Sequence, residues 1–460
     1  MTVRDERMGP FDAVMYAIES DPILRTGIIA YIGLEAEPDR DQLTARAERL
    51  TRIYPRLRER AVGSAISPAP PRWETDPNFN LDFHVRWRRL LDGEDATANA
   101  LAYAAHMGEQ DFDHSRPLWE LAVLTGLSGG RAAMIFKIHH SVADGMGGIA
   151  MSSALFDLAP DPGDLGPMPD APTPSPAGLV ARAVKSTKFS ASAIRETAVG
   201  TVRASAKGLR NMLTSPISST NTAVRTLRLT AKSLAPQGDP LSDWITQRSL
   251  SCEFTLLEIP IDKLKQAARN ADVTLNVVFV AAVADAFGMY HRRNDHQLDE
   301  FRLNMPVNKR TAGDAATGNH WAPARFLVPC GDLDSGARLH QVEGVITTAM
   351  HDPVLDFSEI LYKGMALLPG PAAERLAGSL MKGVDLAATN VPGPPVPIYT
   401  CGTRVTSMAA FAPKSGAAAN IGLLTYDGTA FVGINSDPVG VANPAEFTEC
   451  LAGAFAKYTA

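Results

Sequence analysis

A short apolar segment that ends in two adjacent histidines constrains the fold of this chain more than any other stretch. Residues 131–138 are mostly apolar and follow two glycines, a pattern that predicts a buried β-strand. His139 and His140 come directly after it, several glycines allow a sharp turn, and residues 149–158 are predicted to form a helix. The two histidines therefore lie at a corner between a strand and a helix, where rigid elements can direct side chains into a cleft.

The chemistry available at this corner is acid–base catalysis. Histidine has an unperturbed pKa near neutral pH, so it can take a proton from a substrate and return it, and His140 is the candidate general base. His139 orients its neighbour or lines the cleft, or it is a core residue. Asp144 is a further candidate, although a carboxylate buried beside such a loop needs backbone N–H groups or an arginine to hold it, which favours a structural role. Gly145 allows a substrate to approach the backbone closely.

Length and composition exclude several classes of protein. A chain of 460 residues is long enough for two to three domains, and 45% hydrophobic and 20% charged residues are typical of soluble globular proteins. The net charge of −6 argues against nucleic-acid binding. The charged N-terminus and the lack of a long apolar run predict an intracellular protein. The four cysteines contain no CxxC pair, so neither a disulfide framework nor a metal site is predicted.

The N-terminal third of the chain predicts an α/β domain that ends near residue 158. Residues 42–53 have the apolar spacing of a helix, and residues 118–124 have the character of a strand. Seven prolines between 160 and 176 then predict an extended linker. We therefore divide the chain into an N-terminal half (1–158), a Pro-rich linker and basic crossover segment (159–239) and a C-terminal half (240–460).

The crossover contains a strongly basic segment, residues 179–235, in which ten Lys and Arg residues face a single acid, Glu196. Apolar residues recur beneath part of this charge at helical spacing, so the segment includes a predicted basic amphipathic helix. Such helices often lie on anionic lipid surfaces. The alternative, which the sequence leaves open, is a solvated crossover helix packed on its own domain.

The C-terminal half also predicts helices and strands. Residues 272–288 form a long apolar stretch, which indicates a buried helix that starts near residue 274 or 276. Residues 420–435 predict two strands around a two-residue Asp-Gly turn, the strongest hairpin signal in the chain. Residues 390–395 contain three prolines and predict a stiff loop.

Several segments together resemble the bacterial wax ester synthase/diacylglycerol acyltransferase family. His139 and His140, with Asp144 and Gly145, fit the HHxxxDG motif of acyltransferases that depend on CoA or on a carrier protein. The other similar segments are Pro117-Leu118-Trp119-Glu120, residues 71–85, Leu275-Asn276, Gly318-Asn319, residues 390–394 and residues 420–428. The resemblance covers about 10–158 and 240–455. Val277 departs from it, because the family usually has an aspartate after the asparagine.

The resemblance implies an α/β fold of two chloramphenicol-acetyltransferase-like halves with mixed sheets, joined by the crossover, and an active-site channel between the halves. It implies transfer of a long acyl group from acyl-CoA to diacylglycerol or a fatty alcohol, which gives triacylglycerol or wax ester. Gly145, Asn276, Trp119 and Asn390 are the candidate substrate-binding residues, although Trp119 is better explained as a core residue. Acyl-CoA is a co-substrate and no cofactor is expected. The expected location is cytoplasmic, with peripheral contact to a membrane or lipid inclusion.

Within this mechanism, backbone N–H groups and Asn276 are the candidate donors to the oxyanion. The chain has no GxSxG segment and no evident reactive cysteine, so no covalent acyl-enzyme is required. Two alternatives remain. A condensation-type acyltransferase shares HHxxxDG but takes its acyl group from a carrier protein, and a non-catalytic relative could bind acyl lipids or coat lipid inclusions.

Overall fold

The computed structural model describes residues 6–63, 69–90, 95–161, 163, 165–173, 238–308, 321–352, 361–366, 368 and 370–460. The strands of these residues are β1 (Glu6–Arg7), β2 (Gly27–Leu34), β3 (Glu59–Val62), β4 (Arg72–Thr75), β5 (Val85–Arg89), β6 (Trp119–Thr125), β7 (Ala132–His139), β8 (Glu253–Pro260), β9 (Glu300–Asn308), β10 (Trp321–Pro329), β11 (Leu386–Pro392), β12 (Tyr399–Thr400), β13 (Thr403–Phe411), β14 (Ala419–Tyr426) and β15 (Thr429–Ser436). The helices are α1 (Pro10–Ile18), α2 (Arg40–Ile53), α3 (Leu81–His84), α4 (Ala96–Glu109), α5 (Gly145–Ser152), α6 (Ile261–Asn270), α7 (Leu275–Arg293), α8 (Ser335–Met350), α9 (Gly370–Met381) and α10 (Pro444–Thr459).

Two six-stranded sheets organise the molecule, with a three-stranded sheet of order β1-β4-β3 beside them. The first large sheet has the order β12-β13-β2-β7-β6-β5, and the second has the order β10-β9-β11-β14-β15-β8. Both are mixed, because β5 runs parallel to β6 and β11 runs parallel to β9 and β14, whereas the other pairs are antiparallel. The predicted α/β class with two mixed-sheet halves is confirmed.

The C-terminal half donates strand β13 to the sheet of the N-terminal half. β13 pairs with β2 over Ile29 to Leu34, so a segment of the C-terminal half completes the sheet of the N-terminal half. The crossing strand comes close to β14 and β15 at a pair of glycines: a Cβ atom on Gly422 would lie 2.6 Å from the carbonyl oxygen of Ala410, and one on Gly433 would lie 3.0 Å from it. The predicted division at residue 240 therefore does not describe the first sheet.

Several local predictions are confirmed. Strand β7, helix α2 and strand β6 lie where the sequence patterns put them, and α7 starts at Leu275 with Thr274 as its N-cap. The hairpin of β14 and β15 turns at Asp427 and Gly428, both of which have positive φ angles, 42° and 80°, as a two-residue hairpin turn requires.

Two local predictions are wrong. The helix after the histidines begins at Gly145, because Asp144 caps its N-terminus, and it ends at Ser152, so residues 153–158 lie outside it. Residues 390–392, predicted as loop, belong to β11, which pairs in parallel with β14 as far as Pro392. Strand β9 pairs only with Leu386 and Ala387, the first two residues of β11. Pro392 therefore has no strand on the β9 side, and a proline, which lacks an N–H, is tolerated there.

The described linker residues between 160 and 173 form neither helix nor strand, as predicted. They lie along α2, where Arg49 donates to the carbonyl oxygen of Pro167 (2.8 Å) and Arg52 donates to that of Pro169 (2.9 Å). The basic segment 179–235 and the Gly318-Asn319 motif lie outside the described residues. Within the described residues, no single helix is long and apolar enough to cross a membrane; only α6 and α7 together, bent by 98°, pass that test of length and composition.

Candidate active site

A cavity of about 150 Å³ lies between the two halves of the protein. The N-terminal half contributes Thr26, His140 and the start of α5 to its wall, and the C-terminal half contributes residues of β9, β10, β11 and β14. Much of the wall is apolar, with Met15, Ile28 and Met381 among its residues. Such a cavity suits a ligand that carries a hydrocarbon chain.

His140 is the histidine of the pair that lines this cavity. It follows the last residue of β7, its backbone N–H donates to the carbonyl oxygen of Thr26 (3.1 Å), and its side chain is half-buried. Successive side chains of an extended strand point to opposite sides, so the two histidines at the end of β7 have different surroundings. An imidazole on a cavity wall can take a proton from a bound hydroxyl group.

His139 is fully buried in a polar network and is not part of the cavity wall. Its Nδ1 accepts from the backbone N–H of Ser141 (2.9 Å), so the ring proton of the neutral imidazole is on Nε2. Nε2 lies 2.9 Å from Thr26 Oγ1 and 2.7 Å from Glu19 Oε2. These contacts hold the ring, and through the backbone they hold the neighbouring residue.

Glu19 joins His139 to a second group of titratable side chains. His114 Nε2 lies 3.5 Å from Glu19 Oε2 and 3.7 Å from Asp111 Oδ1. Burial alone would raise the pKa of the Glu19 carboxyl, but His139 and His114 outweigh it and hold the pKa below its ordinary value. Glu19, Asp111 and His114 could also hold a metal ion by their arrangement, and the prediction that the chain has no metal site stays untested.

Asp144 and Gly145 shape the turn after the histidines. The carboxylate of Asp144 is buried and accepts from the backbone N–H of Gly147 (2.8 Å), so it caps the N-terminus of α5. Helix α5 approaches β11 closely at Gly145, where an added Cβ atom would lie 3.2 Å from Cγ2 of Val391. Both residues line the cavity. The cap gives Asp144 the structural role that the sequence favoured.

Comparisons with known proteins agree with this geometry. The model of the wax ester synthase/diacylglycerol acyltransferase catalytic domain matches residues 8–279, and that of the family's C-terminal domain matches residues 317–458. A putative diacylglycerol O-acyltransferase of Mycobacterium tuberculosis is 30% identical over 456 residues, which cover 98% of this chain and 91% of the relative. The chain belongs to the wax ester synthase/diacylglycerol acyltransferase family. It is an acyltransferase.

Solved structures confirm the fold of this family member. The wax ester synthase/diacylglycerol acyltransferase from Marinobacter aquaeolei VT8 aligns with a TM-score of 0.64 at 16% identity and covers 98% of both chains. The first condensation domain of the calcium-dependent antibiotic synthetase aligns with a TM-score of 0.60 at 16% identity, over 100% of this chain and 96% of that one. The predicted chloramphenicol-acetyltransferase-like architecture, shared with condensation domains, is therefore correct.

Asn276 and Asn390 lie together in this acyltransferase, although only Asn390 lines the cavity. Asn390 Nδ2 donates to Asn276 Oδ1 at 3.4 Å, a long contact, and Asn276 Nδ2 lies 3.8 Å from Sδ of Met305. Asn276 therefore supports a cavity residue and is not itself on the wall. Val277, which replaces the family aspartate, is 2% exposed and packs in the core of the C-terminal half.

Trp119 does not line the cavity, and the structure gives the candidate substrate-binding residue a core position. It is 1% exposed, its Nε1 donates to the carbonyl oxygen of Leu57 (2.7 Å), and its ring stacks on His84 at 4.6 Å. His84 Nδ1 in turn lies 2.7 Å from the carbonyl oxygen of Trp119. Burial lowers the pKa of His84 to about 4, so this imidazole is neutral near neutral pH.

Among the polar residues of the cavity wall that sequence reasoning missed are Asn304 and Arg325. They lie on β9 and β10, opposite each other in the register of the antiparallel pair. Burial lowers the pKa of Arg325. A single polar residue in a strand forms no recognisable sequence motif. Only the pairing of β9 with β10 shows that Asn304 and Arg325 lie side by side. None of the four cysteines, all of which the structure describes, lines the cavity.

Proposed function

We propose that this acyltransferase moves a long-chain acyl group from acyl-CoA to the hydroxyl group of diacylglycerol or of a fatty alcohol, with His140 as the general base. The observation that supports the proposal is the contrast within the histidine pair. His140 lines an apolar cavity between the halves, whereas hydrogen bonds hold His139 in the core. Relatives that match almost the whole chain are named diacylglycerol O-acyltransferases, which supports the same acceptor class.

In the proposed step, His140 accepts the proton of the acceptor hydroxyl while the oxygen attacks the thioester carbonyl carbon. A C–O bond forms, and the negative charge moves to the carbonyl oxygen. Collapse of this intermediate breaks the C–S bond, and the imidazolium returns its proton to the CoA thiolate. Ester and free CoA leave, with no covalent acyl-enzyme and no cofactor beyond the co-substrate.

The oxyanion needs hydrogen-bond donors near the carbonyl carbon. Gly145 and Met146 line the cavity at the N-terminus of α5, and the first amide groups of a helix lack intrahelical partners. We propose that these backbone N–H groups stabilise the oxyanion. Asn276 is excluded from direct contact in this proposal, because it supports Asn390 from behind the wall.

The test is thiol release from palmitoyl-CoA, with hexadecanol and diacylglycerol offered in separate reactions. We expect release that requires an acceptor and yields wax ester or triacylglycerol. The same acyl group on a phosphopantetheine-charged carrier protein should be a poor donor. Preference for the carrier protein would support a condensation-type reaction, and no turnover with any donor would support the non-catalytic alternative.

We also propose that the protein acts in the cytoplasm and meets its lipid substrates through the basic segment 179–235. Ten cations against one acid would each gain roughly 1 kcal/mol near an anionic surface. Binding to vesicles that contain phosphatidylserine should weaken as salt rises. Flotation that responds neither to salt nor to replacement of Lys185, Lys188 and Arg195 by glutamine would contradict the proposal.

A further inference from the structure

One row of residues crosses the cavity side of the second sheet and is unusually polar. Arg325 pairs with Asn304, Asn304 pairs with Ala387, and Ala387 pairs with Asn420, so four adjacent strands contribute one residue each. All four residues line the cavity. At about 4.8 Å between strands, the row spans roughly 14 Å. The next pair along β9 and β10 on this face, Pro306 and Pro323, has no polar side chain.

Three buried polar atoms of this row have no hydrogen-bond partner among the described residues, although Asn420 Nδ2 donates to the carbonyl oxygen of Pro413 (2.9 Å). Arg325 Nε, Asn304 Oδ1 and Asn420 Oδ1 are buried atoms without a hydrogen bond in the part of the chain that the structure describes. Arg325 also forms no ion pair with any described residue, and the ionisable group that acts on it is Tyr362. Such a buried donor or acceptor is unfavourable unless a ligand or water supplies the matching group.

Arg302, on the same strand as Asn304, has different contacts from Arg325. It lies two residues before Asn304, and its guanidinium donates to the carbonyl oxygens of Asp239 (3.0 Å) and Gly383, so its hydrogen-bonding groups are used within the protein. Arg302 does not line the cavity. The two arginines of neighbouring strands therefore differ: Arg302 donates to two backbone carbonyl oxygens, whereas Arg325 lines the cavity and has no such partner among the described residues.

A hydrocarbon chain cannot satisfy these groups. Arg325 Nε needs an acceptor such as a carbonyl oxygen, and the two asparagine Oδ1 atoms need donors. A guanidinium donates to carbonyl oxygens, and an asparagine amide both donates and accepts. We infer that Arg325 and Asn304 form a subsite for carbonyl groups of a substrate, beyond the reacting thioester. The inference rests on the proposed acyl transfer. Two substrate parts carry such groups: the ester carbonyls of diacylglycerol and the amides of the pantetheine arm of acyl-CoA. A fatty alcohol has none.

The first arm of the test compares acceptors. In Arg325→Met, we expect the ratio of kcat/KM for diacylglycerol to kcat/KM for hexadecanol to fall about 10- to 100-fold, the range that corresponds to loss of hydrogen bonds to a charged group. Asn304→Ala should lower the same ratio by about 3- to 10-fold, because its hydrogen bond is neutral. This result identifies the glycerol esters as the ligand.

The second arm compares donors with hexadecanol as the common acceptor. If the amides of the pantetheine arm occupy the subsite, Arg325→Met raises KM for palmitoyl-CoA and for palmitoyl-pantetheine alike, and leaves KM for the palmitoyl thioester of mercaptoethanol near the wild-type value. An increase for palmitoyl-CoA without an increase for palmitoyl-pantetheine would indicate that a phosphate binds there, which overturns the carbonyl assignment.

The matched control is Arg302→Met. It should lower the midpoint of thermal unfolding, because it removes hydrogen bonds inside the protein, and should leave the acceptor ratio and the donor KM values unchanged. Arg325→Met should not lower the unfolding midpoint, because no internal hydrogen bond is lost. Changes in Arg325→Met no larger than those in Arg302→Met, or a loss of kcat with every KM unchanged, overturn the subsite. If the wild type uses neither acceptor, the proposed function fails instead.

Discussion

Two adjacent residues at the C-terminal end of β7 have different surroundings: His139 is the last residue of the strand, and His140 follows it. His140 lies on the cavity wall, and His139 lies among Glu19, Thr26 and Ser141 in the core. The sequence motif identified the pair and made His140 the candidate base, but it did not show which residues hold each imidazole. That distinction depends on where the strand ends relative to Thr26, whose carbonyl oxygen binds the backbone N–H of His140.

The first prediction separates catalysis from stability within this pair. His140→Ala should lower kcat by roughly 10²–10⁴-fold, the usual contribution of a positioned general base, and should change the unfolding midpoint little. His139→Ala should instead lower the free energy of unfolding by about 1–3 kcal/mol, because it leaves buried partners without hydrogen bonds. Initial rates and thermal unfolding, measured on both variants, check the pair. Near-wild-type turnover of a folded His140→Ala enzyme would rule out the mechanism.

The second prediction concerns Val277, the position at which the chain departs from its family. Val277 is 2% exposed and is the third residue of α7, so an aspartate there gains from the helix N-terminus but loses its hydration. We expect burial to dominate and Val277→Asp to lower the free energy of unfolding by about 1–3 kcal/mol. Val277→Thr, similar in shape but uncharged, should lose less.

Urea denaturation and acyl transfer, measured on the same preparations, check the Val277 variants. An aspartate variant that is as stable as the wild type and more active would show that the helix N-terminus is already prepared for a carboxylate. Valine would then have weakened the site, and the non-catalytic alternative would gain support.

At the scale of the element, the predictions that succeeded depend on local pattern. Helix α7 begins one residue after a threonine that can cap it, and the hairpin of β14 and β15 turns at an Asp-Gly pair that accepts positive φ angles. The predictions that failed depend on distant partners. Residues 390–392 form strand because β14 pairs with them, and nothing in the local sequence near Pro392 indicates that pairing.

The third prediction concerns the acid sensitivity of α3 and its neighbours. His84, the last residue of α3, has a pKa lowered by burial to about 4, compared with 6.5 for a free histidine. An unfolded chain therefore takes up a proton that the folded protein does not, so stability falls as the pH drops from 6.5 to 4. By pH 4 the loss amounts to about 3 kcal/mol.

His84→Asn is the control, because its amide can keep the hydrogen bond to the carbonyl oxygen of Trp119 and has no proton to gain. The unfolding midpoint of this variant should change less than that of the wild type between pH 7 and pH 4.5. The carboxyls of Glu19 and Asp437 have lowered pKa values, so their contributions are lost only at lower pH. Equal acid sensitivity of wild type and variant would show that His84 is not responsible.

At the scale of the whole molecule, the candidate site was only partly predictable because it is built from both halves. His140, Gly145 and Asn390 carry motifs, and the structure brings all three to the cavity wall. Arg325 and Asn304 carry none. Asn304 and Arg325 meet because β9 and β10 pair. They line the same cavity as His140 because strand β13 connects the two halves. Long-range register of this kind has no signature in a single sequence.

The fourth prediction follows from the position of β13 in the N-terminal sheet: the two halves do not fold independently. Residues 1–239 without β13 would leave the edge of β2 unpaired and would lose Val405, Met408 and Phe411 from the first core. We expect this fragment to be aggregated or unfolded when expressed alone.

A protease site placed at residues 170–172 provides the matched control, because cleavage there cuts the chain but leaves every described strand present. The cleaved protein should elute as one particle and keep its acyl transfer, since the pairing of β13 with β2 holds the pieces together. A soluble fragment 1–239 with a cooperative unfolding transition would show that the first sheet does not need β13. Separation of the cleaved pieces would show that β13 does not hold the two halves together.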